Sequence, residues 1–399
     1  MSTPLLSDAQ PPRRRRHIVA AAVLVWAAGC GRCGPEPASS LDASSGSGSV
    51  ESSAVDAAPS AAEPNIRPSV RLSATATDRL GARLASADFH LGTVAAATRE
   101  GNLYVGEVGS LAPVGELGGR PAALAVLEPA VVAVAVASDP PVLRLYDAVA
   151  RSDRHELALD GMPVAVRFDG ARGVVWALTR GPGGSHVTAW PTTLGGLAEP
   201  VVDAALGAGG MGLFPSATGG WLVPSHDARE VTRLDYSGLT ARWSLEAPER
   251  PAAAVGLSGS AFVVSATGPT VTIFRSNQDP AIVELDGPGS AITTGDGAVF
   301  VASASSGTVT RLDPNTGTIT VSRGGLGLPT ALLVAPPGLW VADGGPEGGA
   351  IHFLDAVTLE ELAEPAVAEG RPGWLFEDGG VVVSVSPAEG VVQRWAVNR

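Results

Sequence analysis

The stretch Gly327-Leu328-Pro329-Thr330-Ala331 indicates the fold, because similar openings recur along the 399-residue chain. The copies lie about 40 residues apart, and several short Val-rich segments fall between them. This period is typical of a β-propeller, a ring of four-stranded blades. The clearest further copies are Gly119-Arg120-Pro121-Ala122-Ala123, Gly161-Met162-Pro163-Val164-Ala165, Glu249-Arg250-Pro251-Ala252-Ala253 and Gly370-Arg371-Pro372-Gly373-Trp374, with weaker copies at Gly289-Ser290-Ala291 and Gly210-Met211-Gly212.

The best-formed repeat predicts the layout of a blade. Residues 289–327 contain four strand-like segments, at 290–294, 297–302, 307–312 and 318–322. Between the last two lies Asp313-Pro314-Asn315-Thr316-Gly317, whose Pro and Asn suit a tight turn. Four strands joined by short turns make one blade.

The number and closure of the blades follow from the spacing. Blades are expected to open near residues 80, 120, 162, 209, 250, 289, 328 and 371, which gives eight. The last blade has only three evident strands, whereas residues 70–76 form a strand-like run with no partner. We therefore predict that this N-terminal strand completes the last blade and removes exposed sheet edges. Seven blades is the alternative, because residues 77–119 match the repeat poorly.

Three segments resemble the YVTN/NHL-like group of propellers: Asn102-Leu103-Tyr104-Val105, Gly338-Leu339-Trp340-Val341-Ala342-Asp343 and Thr310-Arg311-Leu312-Asp313-Pro314-Asn315-Thr316-Gly317. Pro-x-Ala at blade openings is shared by much of this group. The resemblance implies an all-β propeller over residues 70–399. It implies no single activity, since the group includes lyases, lactonases and binding modules.

The N-terminal segment is typical of a secretory signal peptide over residues 1–29. Arg13 to Arg16 form a basic patch, and residues 18–28 form a short apolar run. Small residues before Cys30 resemble the lipobox of bacterial lipoproteins, although Ala27 stands where that pattern usually has Leu. The resemblance implies that Cys30 becomes an acylated N-terminus held in membrane lipid. The chain is then expected on a periplasmic or surface face of the bacterial envelope.

Residues 30–69 are predicted to form a tether between this anchor and the folded domain. Beyond Cys30 and Cys33, the segment is rich in Ser, Ala, Pro and Gly, and such a composition cannot bury enough apolar area to fold. The Cys-x-x-Cys spacing could be a redox pair, but no βαβ pattern surrounds it. We therefore favour lipidation over redox chemistry.

The charge balance disfavours nucleic-acid binding. Residues 30–399 contain 23 Arg and 39 acidic residues, a formal charge of −16, whereas nucleic-acid binding requires basic surface. The acidity favours solubility of a Val-rich sheet protein.

Three arginines are the candidate binding residues. Arg120, Arg250 and Arg371 each precede the Pro that opens a blade, so their side chains are expected at equivalent places around the ring. If those places face the central mouth, the three cations would attract an anionic ligand or an acidic partner. In the alternative interpretation, each Arg pairs with a carboxylate on the next blade, such as Glu128 or Glu377.

No catalytic or metal site stands out in the sequence. The histidines lack ligand spacing, and the adjacent residues of Ser225-His226-Asp227 point in different directions, which excludes triad geometry. Asp296, Asp343 and Asp378 could bind calcium, but Asp is common in turns. Five Trp residues are expected mostly between blades: Trp176, Trp221, Trp340, Trp374 and Trp395.

The preferred hypothesis is a non-enzymatic, lipid-anchored binding or scaffold module without a cofactor, whose partner is an envelope protein or an anionic ligand. The alternative is a lactonase-like or lyase-like propeller acting on a small cyclic substrate. An enzyme would need carboxylates, Asn or His converging on the channel, whereas the predicted inner strands begin mostly with Ala, Val, Leu and Gly.

Overall fold

The computed structural model describes residues 70–246, 249–346 and 348–398, and these form an all-β propeller of eight blades. The predicted signal peptide, the tether and Cys30 lie outside the described residues. No helix occurs in the described chain, and hence none of membrane-spanning length.

The first half of the ring begins with the N-terminal strand β1 (Arg71–Arg79). Four blades follow it in chain order. They are blade 1 with β2 (Leu84–His90), β3 (Thr93–Thr98), β4 (Asn102–Gly106) and β5 (Ala112–Glu116); blade 2 with β6 (Arg120–Glu128), β7 (Val131–Ala137), β8 (Val142–Asp147) and β9 (Ser152–Ala158); blade 3 with β10 (Met162–Asp169), β11 (Val174–Gly181), β12 (Gly184–Thr193), β13 (Gly196–Leu197) and β14 (Val202–Leu206); and blade 4 with β15 (Phe214–Pro215), β16 (Trp221–Ser225), β17 (Glu230–Asp235) and β18 (Gly238–Ser244).

The second half repeats the same meander. Its members are blade 5 with β19 (Pro251–Leu257), β20 (Ser260–Ser265), β21 (Thr270–Phe274) and β22 (Ala281–Glu284); blade 6 with β23 (Ala291–Gly295), β24 (Ala298–Ser303), β25 (Thr308–Leu312) and β26 (Ile319–Arg323); blade 7 with β27 (Pro329–Ala335), β28 (Gly338–Asp343), β29 (Gly349–Leu354) and β30 (Ala366–Ala368); and blade 8 with β31 (Trp374–Asp378), β32 (Val381–Ser386) and β33 (Val391–Asn398).

The predicted closure is confirmed. β1 pairs antiparallel with β33, from Arg71 opposite Asn398 to Arg79 opposite Val391, and becomes the outer strand of blade 8. The inner strand β31 contacts β2 of blade 1, which completes the circle. Because both chain ends share one blade, the ring has no open end.

The Pro-x-Ala signature has a structural cause. In blades 2, 3, 5 and 7 the pairing of the first two strands shifts by one residue at this point, for example between Pro121 and Ala123. The middle residue is therefore a β-bulge, and Pro suits the first residue of a strand whose inner edge is unpaired. Blade 1 has the same bulge between Leu84 and Ser86 without a Pro. This explains why residues 77–119 form a regular blade despite their poor match.

Blade 4 differs from the prediction at its opening. The inner strand is only Phe214–Pro215, and the predicted opening near 209 is a glycine-rich loop. Gly209 has φ +80°, and a Cβ there would lie 2.6 Å from Asp227 Oδ2. An antiparallel bridge between Gly210 and Ser225 continues the inner edge of the blade beyond this short strand, and the glycine at 209 allows the two segments to approach closely.

Buried apolar clusters lie between neighbouring blades and hold the ring together. The cluster that joins blade 8 to blade 1 contains Leu84 and Phe89 from β2 and Val383 and Val392 from blade 8. Trp176, Trp340 and Trp395 are buried, and Trp221 and Trp374 are half-buried against such clusters. The core is thus distributed around the ring instead of lying in one layer.

A repeated aspartate turn was missed in the sequence. The third strands of blades 2, 4, 6 and 7 all lead into an Asp whose carboxylate accepts backbone N–H groups of the following turn. In blade 6, Asp313 accepts from Asn315 at 2.7 Å and from Thr316 at 2.9 Å. These backbone bonds hold the pKa of Asp313 below its usual value. The recurring hydrophobic-Asp ending could have revealed all four turns: Asp147, Asp235, Asp313 and Asp355.

Candidate functional site: the arginine mouth and the channel

The inner strands begin at one face of the ring, and we call this face the arginine mouth. Arg120 is the first residue of β6, Arg250 immediately precedes β19, and Arg371 lies shortly before β31. All three are exposed. Because the inner strands occupy equivalent positions in the ring, their starts share this face. The structure therefore brings the three predicted arginines to the same end of the channel.

Their partners differ from the alternative interpretation. Arg250 Nη1 lies 3.8 Å from Asp227 Oδ1, on the preceding blade, and both side chains are largely exposed. Such an ion pair contributes little. Within the described chain, the guanidinium groups of Arg120 and Arg371 form no ion pair. Pairing with Glu128 or Glu377 is wrong, because these residues lie near the far ends of β6 and β31.

The arginine mouth also carries Arg180, Met211 and Met162, which no sequence motif indicated. Arg180 of β11 pairs with Met162, the first residue of β10. The Nε of Arg180 donates to the carbonyl of Gly210 at 2.7 Å. Its Nη2 lies 3.4 Å from the sulfur of Met211. Met162 is 54% exposed at the mouth. Flexible, polarisable Met side chains suit an adaptable contact surface.

The Ser-His-Asp run does not form a nucleophile. Ser225 Oγ is inaccessible to solvent and has no hydrogen-bond partner among the described residues, and the same holds for His226 Nδ1. Asp227 instead lies near Arg250. The geometric argument against a triad therefore agrees with the structure.

The three candidate calcium ligands do not converge. Asp343 ends β28, whereas Asp296 and Asp378 lie at turns between the first and second strands of their blades, on the opposite face. Asp343 accepts backbone N–H groups from Gly327 at 2.7 Å and Leu328 at 2.6 Å. No group of three or more His, Cys, Asp or Glu residues is placed to hold a metal ion in the part of the chain that the structure describes.

An ionic chain links blade 6 to blade 7 below the surface. Arg323 Nη2 donates to Glu361 Oε1 at 2.8 Å, and His352 Nδ1 lies 2.8 Å from the same oxygen. His352 Nε2 lies 3.5 Å from Asp343 Oδ2. Burial lowers the pKa of His352, but bonds and charges from Asp343 and Glu361 outweigh burial and raise the pKa to about 9. The imidazole is therefore a cation between two carboxylates.

Asp343 shows the complementary shift. Burial raises its pKa, but the bond from His352 and the backbone N–H groups of Leu328 and Gly327 outweigh burial and lower the pKa to about 2. Together with the Arg323–Glu361 contact, the chain alternates two basic and two acidic side chains. The chain is therefore a structural link between blades.

The channel wall contains polar side chains that bridge inner strands. Leu124 N–H donates to Ser86 Oγ at 3.1 Å, and Val126 N–H donates to Asp88 Oδ2 at 2.9 Å. Both N–H groups lie on β6, which has only β7 as a strand neighbour, so they face the channel. Asp88 therefore lies along the inner edge of blade 2. Arg167 of β10 lies on the innermost strand of the next blade.

Comparison with known proteins identifies the fold. No protein-family model matches the chain, and no curated protein matches it. Solved structures do match. The computationally designed protein Ika8 aligns with a TM-score of 0.64 at 17% identity, over 80% of this chain and 97% of that one. BamB from Moraxella catarrhalis aligns at 0.61 and 18% identity, over 81% and 97%. Sqt1 from Saccharomyces cerevisiae aligns at 0.63 and 11% identity, over 81% and 98%. At these identities the likeness shows the propeller fold alone.

Proposed function

We propose that this chain is a non-enzymatic, lipid-anchored β-propeller that binds an acidic protein partner, or scaffolds an assembly, in the bacterial cell envelope. The observation that carries the proposal is the arginine mouth, where Arg120 and Arg371 are exposed and lack a carboxylate partner within the described chain. Unpaired guanidinium groups are available for charge-assisted bonds to a partner's carboxylates. The structural likeness to BamB, which aligns over 97% of its own length, supports the propeller scaffold that this role requires.

The rest of the mouth supports protein recognition. Exposed Met162 and the Arg180–Met211 pair lie on the same face and offer apolar, adaptable contacts beside the cations. Interfaces are enriched in Arg and Met. Against the overall formal charge of −16 for residues 30–399, the exposed arginines of the mouth are the groups that would attract an acidic partner.

Photo-crosslinking in the native envelope tests the mouth. A photoreactive residue at Met162 should capture a partner, whereas one at Val149, which is 83% exposed on the opposite face, should not. Changing Arg120, Arg250 and Arg371 together to Gln should reduce capture at Met162 about tenfold or more. A matched variant with Arg151, Arg242 and Arg394 changed to Gln removes the same charge elsewhere. Equal capture at both positions, or equal loss in both variants, would contradict the proposal.

The membrane anchor rests on the sequence and has its own test. Cys30→Ser should abolish incorporation of labelled palmitate and release the protein from the membrane fraction, while Cys33→Ser should leave both unchanged. Retention of label in the Cys30 variant would show that the anchor is elsewhere. The YVTN/NHL-like relationship remains part of the proposal and implies the fold only.

A further inference from the structure

The first strand of the domain begins on the face opposite the arginine mouth, which we call the far face. The inner strand β31 runs from the mouth towards the far face, and β33 runs the same way because β32 lies antiparallel between them. β1 is antiparallel to β33, with Arg71 opposite Asn398, so the first residue of β1 lies at the far face. The segment that leads from Cys30 therefore joins the domain on the far face, at blade 8.

Apolar side chains protrude from four turns of the far face, and we call them the apolar tips. Leu91 lies in the turn between the first two strands of blade 1. Val149 and Val357 lie in the turns between the third and fourth strands of blades 2 and 7, and Leu194 lies in the turn after the third strand of blade 3. Leu91 is 53% exposed and the other three are more exposed. These side chains add little to the core, so their apolar surface is available to a partner.

Two of the apolar tips occupy a position that is polar in equivalent turns. In the aspartate turns, the residue two positions after the Asp donates its N–H to the carboxylate at 2.7–2.8 Å. This residue is Val149 in blade 2 and Val357 in blade 7. In blades 4 and 6 it is Ser237 and Asn315. Because the backbone contact is the same in all four turns, the turn itself does not require valine.

The backbone conformation of Leu91 leads to the same conclusion. Leu91 has φ +52°, a left-handed conformation that favours Gly, Asn and Asp in two-residue hairpin turns. The equivalent residues of blades 5 and 6 are polar, namely Ser258 with φ +52° and Asp296 with φ +48°. A leucine in this conformation strains the backbone and exposes apolar surface, and neither effect stabilises the domain. Such a residue at an exposed turn supports a contact outside the domain.

The four apolar tips lie along one arc of the ring. They belong to blades 7, 1, 2 and 3, and with blade 8, which β1 joins, these blades form a continuous series. Within the described chain, the large exposed apolar residues of blades 4 to 6 lie in outer strands and not in turns: Leu239, Ile282 and Ile319. The far face therefore presents apolar turns on the side where the N-terminal segment joins it.

The charges beside the apolar tips do not form a basic patch. Arg151 and Arg172 are exposed in far-face turns of blades 2 and 3. Glu107 and Glu128 are exposed at far-face turns of blades 1 and 2. A surface with both signs is not suited to attracting anionic lipid headgroups, so a membrane contact here would depend on insertion of apolar side chains. Such a contact should be nearly independent of ionic strength.

We propose that this arc of the far face lies on the surface of a phospholipid bilayer, with its four apolar tips inserted at the level of the headgroups. The inference rests on the proposed acyl anchor, which would join the domain on the same face and keep the tips close to the membrane. The anchor holds the domain, and the tips orient it. The arginine mouth then points away from the membrane, towards its protein partner.

Photo-crosslinking of the full-length chain in its native membrane tests this contact. A photoreactive residue at Val149 should become linked to phospholipid several-fold more than one at Asn315, which is exposed at the equivalent position of blade 6. Incorporation of labelled palmitate is measured in the same samples. Equal lipid capture at both positions in palmitate-labelled protein would overturn the contact and leave the anchor intact. Capture of a protein at Val149 in place of lipid would also overturn it.

A vesicle experiment separates the contact from the anchor. It uses the predicted mature chain, residues 30–399, with Cys30→Ser. Flotation with phosphatidylcholine vesicles should show weak binding, and changing all four apolar tips to Asn should weaken it about tenfold or more. Asn suits the conformation of Leu91 and occupies the equivalent aspartate turn in blade 6, so these changes should leave the melting temperature unchanged.

The matched control removes apolar surface outside the arc. It changes the three exposed residues of the outer strands to Asn: Leu239, Ile282 and Ile319. This variant should bind vesicles as the Cys30→Ser chain does. Absence of binding by the Cys30→Ser chain, or an equal loss in both variants, would overturn the contact. Binding through the tips in a protein whose native form carries no palmitate would refute the anchor alone.

Discussion

Two junctions of the ring are built from different interactions. At the seam in blade 8, β1 and β33 pair along their whole length, from Arg71 to Arg79 on one strand. At the junction of blades 6 and 7, Arg323 of blade 6 pairs with Glu361 of blade 7, and the ionic chain continues within blade 7 through His352 to Asp343. One junction depends on backbone pairing and the other on ionised side chains.

The seam also has side-chain contacts, but its buried contact is neutral. Gln393 is 5% exposed, accepts from the backbone N–H of Glu369 at 2.8 Å and lies 3.4 Å from Thr77 Oγ1. At the exposed end, Asn398 Nδ2 donates to Ser73 Oγ at 2.7 Å. The exposed ion pair between Arg79 and Glu369 adds little stability. The buried side-chain contact at the seam therefore joins only uncharged groups.

This propeller closes its ring by backbone pairing, whereas ionised side chains stabilise the junction of blades 6 and 7. Backbone pairing should hold at any pH at which the sheet survives. The ionic chain requires two ionised carboxylates and a protonated imidazole at the same time. Stability at the two junctions should therefore respond differently to truncation and to pH.

The largest effect is expected from removal of the closing strand. Deleting residues 70–79 removes the backbone hydrogen bonds between β1 and β33 and exposes the edge of β33. Each of these bonds contributes roughly 0.5–1.5 kcal/mol to the free energy of unfolding. We expect the melting temperature to fall by roughly 10 °C or more and the variant to aggregate. Deletion of residues 60–69 is the length-matched control and should have little effect. An unchanged melting temperature on loss of residues 70–79 would contradict closure by β1.

Breaking the ionic chain should have the next largest effect. Asp343→Ala removes a carboxylate partner of His352 and leaves three backbone N–H groups without their acceptor, which should cost about 3–5 kcal/mol in the free energy of unfolding. Asp279→Ala removes an exposed acid and should change it by less than about 0.5 kcal/mol. Chemical denaturation measures both. Equal losses of stability in the Asp343 and Asp279 variants would show that the ionic chain does not stabilise the fold.

The pH dependence sharpens the comparison between the junctions. The folded pKa of His352 is about 9, above its unfolded value near 6.5, so its contribution is complete below pH 6.5 and is lost as the pH rises through 9. The loss should be about 2–3 kcal/mol. Asp343, with a folded pKa of about 2, loses its contribution only as the pH falls through 2. Unfolding measured from pH 6 to 10 should show this decline in the native chain, and His352→Gln should flatten it. A native profile that is already flat would contradict a protonated His352.

The smallest of these effects concerns the neutral side-chain contact at the seam. Gln393→Ala leaves the half-buried N–H of Glu369 without its acceptor and should cost about 1 kcal/mol. Asn398→Ala removes an exposed contact at the same seam and should be near neutral. The loss in the Gln393 variant should be the same at pH 6 and pH 9. A pH-dependent loss would remove the distinction between the two junctions.

Much of the fold could be predicted from the sequence because a repeated unit must repeat its local signals. The four strands of blade 6 lie within one or two residues of their predicted positions, and the unpaired run at residues 70–76 belongs to the seam. Blade 1 was hard to recognise in the sequence because it has Leu84 at the position where other blades have the Pro before the bulge. Blade 4 opens near the predicted position, but Gly209 and its neighbours pair with β16 through the Gly210–Ser225 bridge and do not form a regular strand.

The candidate sites were harder to predict, since they depend on how distant blades meet. The equivalent positions of Arg120, Arg250 and Arg371 at the openings of their blades followed from the repeat, but their partners depended on which face of the ring each carboxylate occupies. Nothing in the local sequence connects Asp88 with the backbone N–H of Val126, which belongs to the next blade. The same applies to Arg323 and Glu361, whose pairing crosses from one blade to the next.

A disulfide across the seam tests the closed ring most directly. In a chain with Cys30 and Cys33 changed to Ser, the cross-strand pair Ser73→Cys and Ala396→Cys should oxidise spontaneously and raise the melting temperature. The pair Thr310→Cys and Ser322→Cys, whose hydroxyl groups are 3.2 Å apart within blade 6, is the matched control. The account predicts that both pairs oxidise; a seam pair that stays reduced while the control pair oxidises would contradict it.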